Sequence, residues 1–259
     1  MAMTLLTTQN LWKSFGGVTA VQDISLSVEE GEIIGMIGPN GSGKTTFINL
    51  LSGIYRPDRG HILFKGEDVA GKPAYEISKR GVARTFQNLR VFPNITVQNN
   101  LLIGSHCTIP YSLLDVYFRP FLLSKREKQA VDRTTELLRG VNLIDKKDEP
   151  AKSLAYGEQR LLEICRALAS EPALLLLDEP CAGMNPVEMD ILAVYLRSLK
   201  KSGITIFIIE HNMHFIMAIA ERIIVLNAGV KFKEGLPAEI QNDRQVQEIY
   251  LGEEETCFR

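Results

Sequence analysis

Two short stretches carry side chains whose order and spacing suit one reaction, the cleavage of a phosphoanhydride. The first is "GPNGSGKTT", residues 38–46, which fits G-x-x-x-x-G-K-[ST] between an expected strand and an expected helix. Gly38, Gly41 and Gly43, with Pro39, Asn40 and Ser42 between them, let the backbone wrap an anion where larger side chains would block both turn and approach. The N–H groups gathered there, backed by a helix N-terminus, favour phosphate oxygens. Lys44 is expected to reach the β- and γ-phosphates, Thr45 to place its hydroxyl on Mg²⁺, and Thr46 to touch the α-phosphate. The second stretch is "ALLLLDEP", residues 173–180. An apolar strand there would carry Asp178 to the carboxyl edge of a sheet, where it can hold Mg²⁺ through its water shell. Glu179 follows as the carboxylate to orient and polarise an attacking water. Standing alone, such a pair reads equally well as a cap on the next element; beside a phosphate loop it reads as chemistry. Together they predict a nucleoside-triphosphatase using ATP and Mg²⁺, and no N-K-x-D motif points to guanine.

The elements that must position these residues follow from periodicity. Residues 4–28 alternate apolar and polar side chains around Gly16-Gly17, the pattern of two antiparallel strands. "GEIIGMIG" reads as a strand buried on both faces, and Phe47, Leu50, Leu51 and Ile54 mark one face of the helix after it. "HILFKGEDV" reads as another edge strand. From Asn99 to about Ala169 the pattern turns helical, interrupted by the aromatic "IPYSLLDVYFRPFLL". Strand and helix then alternate through "PALLLLDE", "PVEMDILAVYLRSLKKSG", "ITIFIIEH" and "NMHFIMAIAERI" to a hairpin, "IIVLNAGVKFKEG", and a polar terminal helix. The alternation predicts an α/β fold, a largely parallel sheet with helices on both faces.

Composition sets outer bounds. With 259 residues, 45% hydrophobic and 23% charged, the chain suits one large domain with an ordinary soluble surface. Its longest apolar runs fall far below the roughly 18–20 residues a membrane span needs, and no basic segment leads into an apolar one at the start, so no signal peptide is expected. The 29 basic and 31 acidic residues leave no electrostatic footprint for nucleic acid. Cys107, Cys165, Cys181 and Cys257 lack C-x-x-C spacing and read as idle thiols of a reducing compartment before metal ligands.

One stretch resists this reading: "SLAYGEQRLLEICRALA", residues 153–169, opens a helix on tyrosine and glycine before its apolar face begins. In order, "GPNGSGKTT", "RTFQN", "LAYGEQR", "LLLLDEP", "AGMNP" and "IIEHN" resemble the motifs of the ABC ATPases, and the resemblance spans essentially the whole chain. It implies a P-loop NTPase fold with a mostly parallel core, an antiparallel β subdomain and a helical subdomain at about 88–165, in a single cassette over 4–252 with a tail at 253–259. It further implies that "LAYGEQ", with Ala155 and Gly157, is the signature, which faces the γ-phosphate held by a second, head-to-tail subunit through its helix N-terminus. Gln87 matches the glutamine that senses Mg²⁺ and the attacking water. His211 matches the switch histidine, which contacts the γ-phosphate and Glu179; His61, His106 and His214 keep a structural reading. Phe15 matches the aromatic that stacks on adenine, against the alternative of core packing. Two departures stand out: Ala155 replaces the signature serine, and Asn185 stands where many relatives carry Asp.

Within that family, "LAYGEQR", "AGMNP", the aromatic insertion near 109–123 and "EIYLGE" look like the ATP-binding subunit of branched-chain amino acid importers. That would place the chain at the cytoplasmic face of the inner membrane. Its partners would be a second ATPase, as a heterodimer or with itself, two transmembrane permease subunits and, indirectly, a substrate-binding protein. Leu89, Val91 and Phe92 would offer a socket for a permease helix, or pack ordinarily within the helical subdomain. A soluble ATPase acting on an iron–sulfur scaffold is the alternative, and a nucleotide kinase a more distant one.

Overall fold

The computed structural model describes residues 3–106 and 120–256. The chain opens with β1 (Thr4–Phe15) and β2 (Val18–Glu29), an antiparallel hairpin, followed by β3 (Ile33–Ile37) and α1 (Lys44–Leu51). β4 (Arg59–Phe64) pairs with β1 on one side and with the two-residue β5 (Glu67–Asp68) on the other, so the first sheet runs β2-β1-β4-β5. "HILFKGEDV" is therefore an inner strand and its return rather than an edge strand. The cause is local: Lys65 and Gly66 both have positive φ, 52° and 79°, the requirement of a tight I′ hairpin turn.

The second sheet has six strands in the order β10-β9-β3-β8-β7-β6, built from β6 (Val82–Arg84), β7 (Leu174–Asp178), β8 (Thr205–Ile209), β9 (Arg222–Asn227) and β10 (Val230–Gly235) around β3. All its pairings are parallel except β9 with β10. Between these strands run α2 (Ala74–Lys79), α3 (Val97–Ser105), α4 (Pro120–Gly140), α5 (Tyr156–Leu168), α6 (Pro186–Lys201) and α7 (Met213–Ile219). α8 (Pro237–Gln241) and α9 (Arg244–Thr256) follow. The aromatic insertion near 109–123 lies for the most part outside the described residues.

Side chains of the central strands alternate between two cores. Ile33, Leu175, Leu177, Ile206, Ile208 and Val225 enter a cluster with Leu101, Leu138, Leu162, Leu196 and Ile216, contributed by α3 to α7. Ile34, Met36, Leu174, Leu176, Phe207 and Ile209 enter the other, with Phe47, Ile48 and Leu51 of α1 and Leu6, Leu11, Ile24 and Ile62 of the first sheet. The second face is thus shared between α1, α2 and an antiparallel sheet, where the alternation alone predicts helices. Period-2 alternation and full burial coexist because a strand with two covered faces must be apolar at every position. Gly35 permits the closest approach: a Cβ there would lie 2.7 Å from Ile216 Cγ1 of α7.

Candidate nucleotide site

The phosphate loop joins β3 to α1. Gly38, Gly41 and Gly43 have φ of 152°, 74° and 102°, conformations that cost a side chain dearly. A Cβ on Gly38 would stand 2.2 Å from the carbonyl oxygen of Leu226, and one on Gly43 2.2 Å from that of Ala20, so β9 and β2 press on the loop and fix its path. Lys44 is buried and donates to the carbonyls of Gly38 at 2.6 Å and Pro39 at 2.8 Å. Ser42 Oγ is buried without a hydrogen-bond partner among the described residues. Asn40 and Thr45 are exposed, and Thr46 and Pro39 half-buried. An orphaned hydroxyl, an ammonium group and the first turn of an eight-residue helix together fit a polyphosphate.

β7 ends at Asp178, which is buried and ion-paired with Arg84 Nη2 at 2.9 Å. Burial pushes the Asp178 carboxyl above its ordinary range, and the Arg84 guanidinium opposes that shift. Arg84 is in turn held by Asn49 Oδ1 at 2.6 Å and Ser52 Oγ at 2.8 Å, which ties the end of β6 to α1. Glu179 follows with φ of 49°, left-handed in a residue other than glycine, and its N–H donates to Ile209 O at 2.9 Å. A strained backbone at such a point is held by what surrounds it. Gln87 Nε2 donates to Glu179 Oε2 at 2.8 Å, and His211 Nδ1 stands 3.7 Å from the same oxygen. Three residues far apart in sequence therefore meet at one carboxylate oxygen. Thr45, Asp178 and the Gln87 amide supply only oxygen donors, a set that suits a hard cation such as Mg²⁺.

The start of α5 is built differently. Ala155 is extended and exposed, and its N–H donates to Glu158 Oε2 at 3.1 Å, while Glu158 is ion-paired with Lys146 at 2.6 Å. Gly157 is buried, and a Cβ on it would stand 2.4 Å from Glu188 Oε1 of α6. The contact of Ala155 thus lies within α5 and leads to Lys146, and that of Gly157 lies on α6. Phe15 stands outside the core at 42% exposure, edge-on to Tyr55 with centroids 5.1 Å apart and with Lys13 Nζ 5.2 Å from its ring centroid.

Sequence reasoning did not single out Arg84, Arg160 or Glu210. Arg160 is fully buried and donates to Phe86 O at 2.9 Å, Gln87 O at 2.7 Å and Glu163 Oε2 at 2.9 Å, so α5 grips the backbone of the segment that carries Gln87. Burial pushes the Glu163 carboxyl up, against the pull of Arg160. The available signal was a charged residue inside an apolar period: Arg84 ends a strand, and Arg160 and Glu163 lie i, i+3 on a helix whose neighbours are buried.

A cleft of about 720 Å³ opens between α2, β6 and the segment from Arg90 to Gly104. Val91 and Phe92 line it, together with Ile54, Phe86, Ile103 and Arg166. No helix among the described residues is long and apolar enough to cross a membrane.

Comparison with known proteins places this geometry. Residues 21–182 match the ABC transporter family, and residues 234–256 match the family described as the branched-chain amino acid ATP-binding cassette transporter. The chain is 39% identical over 254 residues to the high-affinity branched-chain amino acid transport ATP-binding protein BraF of Pseudomonas aeruginosa, covering 98% of this chain and 100% of that protein. Identity and coverage are the same for LivG of Escherichia coli K12. Among solved structures, the ADP conformation of the ATP-binding cassette MJ1267 is similar with a TM-score of 0.85 and 33% identity, over 96% of this chain and 99% of that one. The phosphate loop, its acidic partners and near full-length relatives agree: the chain belongs to the ABC transporter ATPases, in the branch of branched-chain amino acid cassettes.

Proposed function

We propose that this ABC ATPase powers the import of branched-chain or other hydrophobic amino acids. It would work as one of two paired ATPases on two transmembrane permease subunits at the inner face of the cytoplasmic membrane, with a substrate-binding protein delivering the cargo. The observation that carries the catalytic part is the meeting of Gln87 and His211 at Glu179, beside Asp178 and the Lys44 loop. One cassette spans 4–252 in this reading, with a helical subdomain at about 88–165.

Glu179 accepts the hydrogen bond that orients the attacking water, and Gln87 and His211 hold that carboxylate in place. Lys44 and the loop N–H groups carry the phosphate charge, with Thr46 on the α-phosphate and Phe15 against the adenine ring. Thr45, Asp178 and Gln87 would hold Mg²⁺, which when bound neutralises phosphate oxygens. The N-terminus of α5, from Ala155 to Gly157, faces the nucleotide of the partner ATPase. The apolar cleft around Phe92 and Ile103 receives a short helix of a permease subunit; its 46% exposure at both residues supports that role over ordinary packing.

Glu179→Gln should bind ATP, hydrolyse it at least about 100-fold more slowly and trap the paired state, seen as a nucleotide-dependent dimer on size-exclusion chromatography. Wild-type turnover in that variant would overturn the assignment of the base. Purification of the tagged chain in mild detergent should recover two polytopic membrane proteins and a second ATPase. Recovery of soluble scaffold proteins alone would overturn the transport role and leave the ATPase standing.

A further inference from the structure

Glu210 is fully buried, and among the described residues no cation forms an ion pair with it. Its carboxylate instead accepts three backbone N–H groups, with the Cys181 side chain as a further hydrogen-bond partner. Oε1 takes Cys181 N at 2.8 Å, and Oε2 takes His211 N at 3.1 Å and Asn212 N at 3.2 Å. Cys181 lies two residues beyond Glu179, and His211 follows Glu210 directly. The strands that carry them, β7 and β8, are paired side by side with Asp178 opposite Ile209. One side chain therefore bridges the two loops from which Glu179 and His211 project. A buried carboxylate is costly unless its oxygens are satisfied, and here each oxygen is satisfied by a different loop.

We propose that Glu210 is a positioning residue that holds the Glu179 loop and the His211 loop in register, so that His211 stays within reach of Glu179. The inference rests on the catalytic reading of those two residues. A carboxylate is required because a side-chain amide has a single acceptor oxygen. Glu210→Gln must turn an NH₂ group toward one loop's N–H and release that loop, while the volume stays the same. The phosphate loop makes no use of this bridge, so nucleotide affinity should be spared.

The test measures single-turnover ATP hydrolysis and the Kd of a fluorescent ATP analogue on the purified full-length chain. The variants are Glu210→Gln, His211→Ala, the double variant and Glu179→Gln. Glu210→Gln should slow hydrolysis by about 10- to 100-fold, the scale of an ångström-sized misplacement of catalytic groups, with the Kd of the analogue within about twofold of wild type. Without His211 the register no longer matters, so the same substitution in the His211→Ala background should change the rate by less than about threefold. Glu210→Asp, which keeps the charge one methylene short, should be faster than Glu210→Gln; it replaces that variant in the same cycle if the latter does not fold. A rate within about tenfold of wild type, a parallel loss of nucleotide affinity, or an undiminished effect on top of His211→Ala would each overturn the proposal. Slow Glu179→Gln and His211→Ala beside a fast Glu210→Gln would remove this inference alone. Wild-type rates in the first two would remove the catalytic reading beneath it.

Discussion

Two helix N-termini in this chain offer backbone N–H groups to an anion, and they are built to opposite plans. At α1 the approach is cleared by three left-handed glycines, a lysine is tethered across the loop, and a serine hydroxyl is buried without a partner. At α5 the donors already have company. Glu158 accepts the Ala155 N–H, and the Glu188 carboxylate, which also caps Asn185 at 2.9 Å, lies where a Gly157 Cβ would go. The helix dipole is the same at both ends. What differs is the side-chain setting: an ammonium group and an unpartnered hydroxyl at α1, and at α5 two carboxylates, one of them ion-paired with Lys146. A macrodipole alone therefore does not define an anion site. On the function proposed above, the first end would hold phosphate by itself, whereas the second would do so only when another subunit presents a phosphate chain with its own cations.

Substitutions can break this contrast, beginning at the complete site. Lys44→Ala removes the one cation tethered within the loop and should abolish nucleotide binding in a fluorescence titration; retained affinity would mean that the backbone nest suffices. Next is Arg84→Leu, which leaves the Asp178 carboxylate buried and unpaired. The expected cost is about 3–5 kcal/mol of stability by denaturant unfolding. Removing the guanidinium also takes away the influence that lowers the Asp178 carboxyl, so Mg²⁺-dependent nucleotide binding should weaken as pH falls, starting nearer neutrality than in the wild type. Unchanged stability and a flat pH profile would show that Asp178 finds another partner.

At the conditional site the effects should be smaller. Gly157→Ala pushes the Glu188 carboxylate aside and loosens its cap on α6, at a cost of about 1 kcal/mol, while alanine returns a similar amount of helix propensity. Thermal stability should therefore hardly move, and only ATP-driven pairing should weaken; a large fall in Tm would count against this balance. Ala155→Ser restores a hydroxyl able to donate to a phosphate oxygen, a bond worth roughly 1.5–3 kcal/mol in a favourable case. Dimer affinity with ATP should rise, and looser or unchanged pairing would refute the role given to this position.

The same contrast marks what could be read without coordinates. The phosphate loop was legible because its constraints are local: glycine spacing, one lysine and one hydroxyl follow from chain geometry over nine residues. β3, β7 and β8 were legible because full burial leaves them apolar throughout, save Asp178 and Thr205 at strand ends. "HILFKGEDV" was misplaced because the positive φ of Lys65, next to Gly66, turns the chain back within two residues, and lysine gives no warning of that conformation. Arg84, Arg160 and Glu210 were missed for a different reason. Their meaning lies in partners on a neighbouring strand or in the loops beyond it, Asp178, the Gln87 carbonyl and the Cys181 N–H, and no periodicity records them. Tertiary satisfaction of buried charge is nonlocal, and sequence patterns are local.

The alternation of β3, β7 and β8 between two cores has a consequence for how the subunit is layered. α1 and the first sheet are anchored below the central strands, α3 and α5 above them, and the two sets of apolar side chains do not mingle. The upper layer reaches Gln87 through Arg160, which donates to its carbonyl at 2.7 Å, while α1 and the phosphate loop rest on the lower one. The sheet thus divides the subunit into a layer that seats the phosphate loop and a layer that grips the segment carrying Gln87.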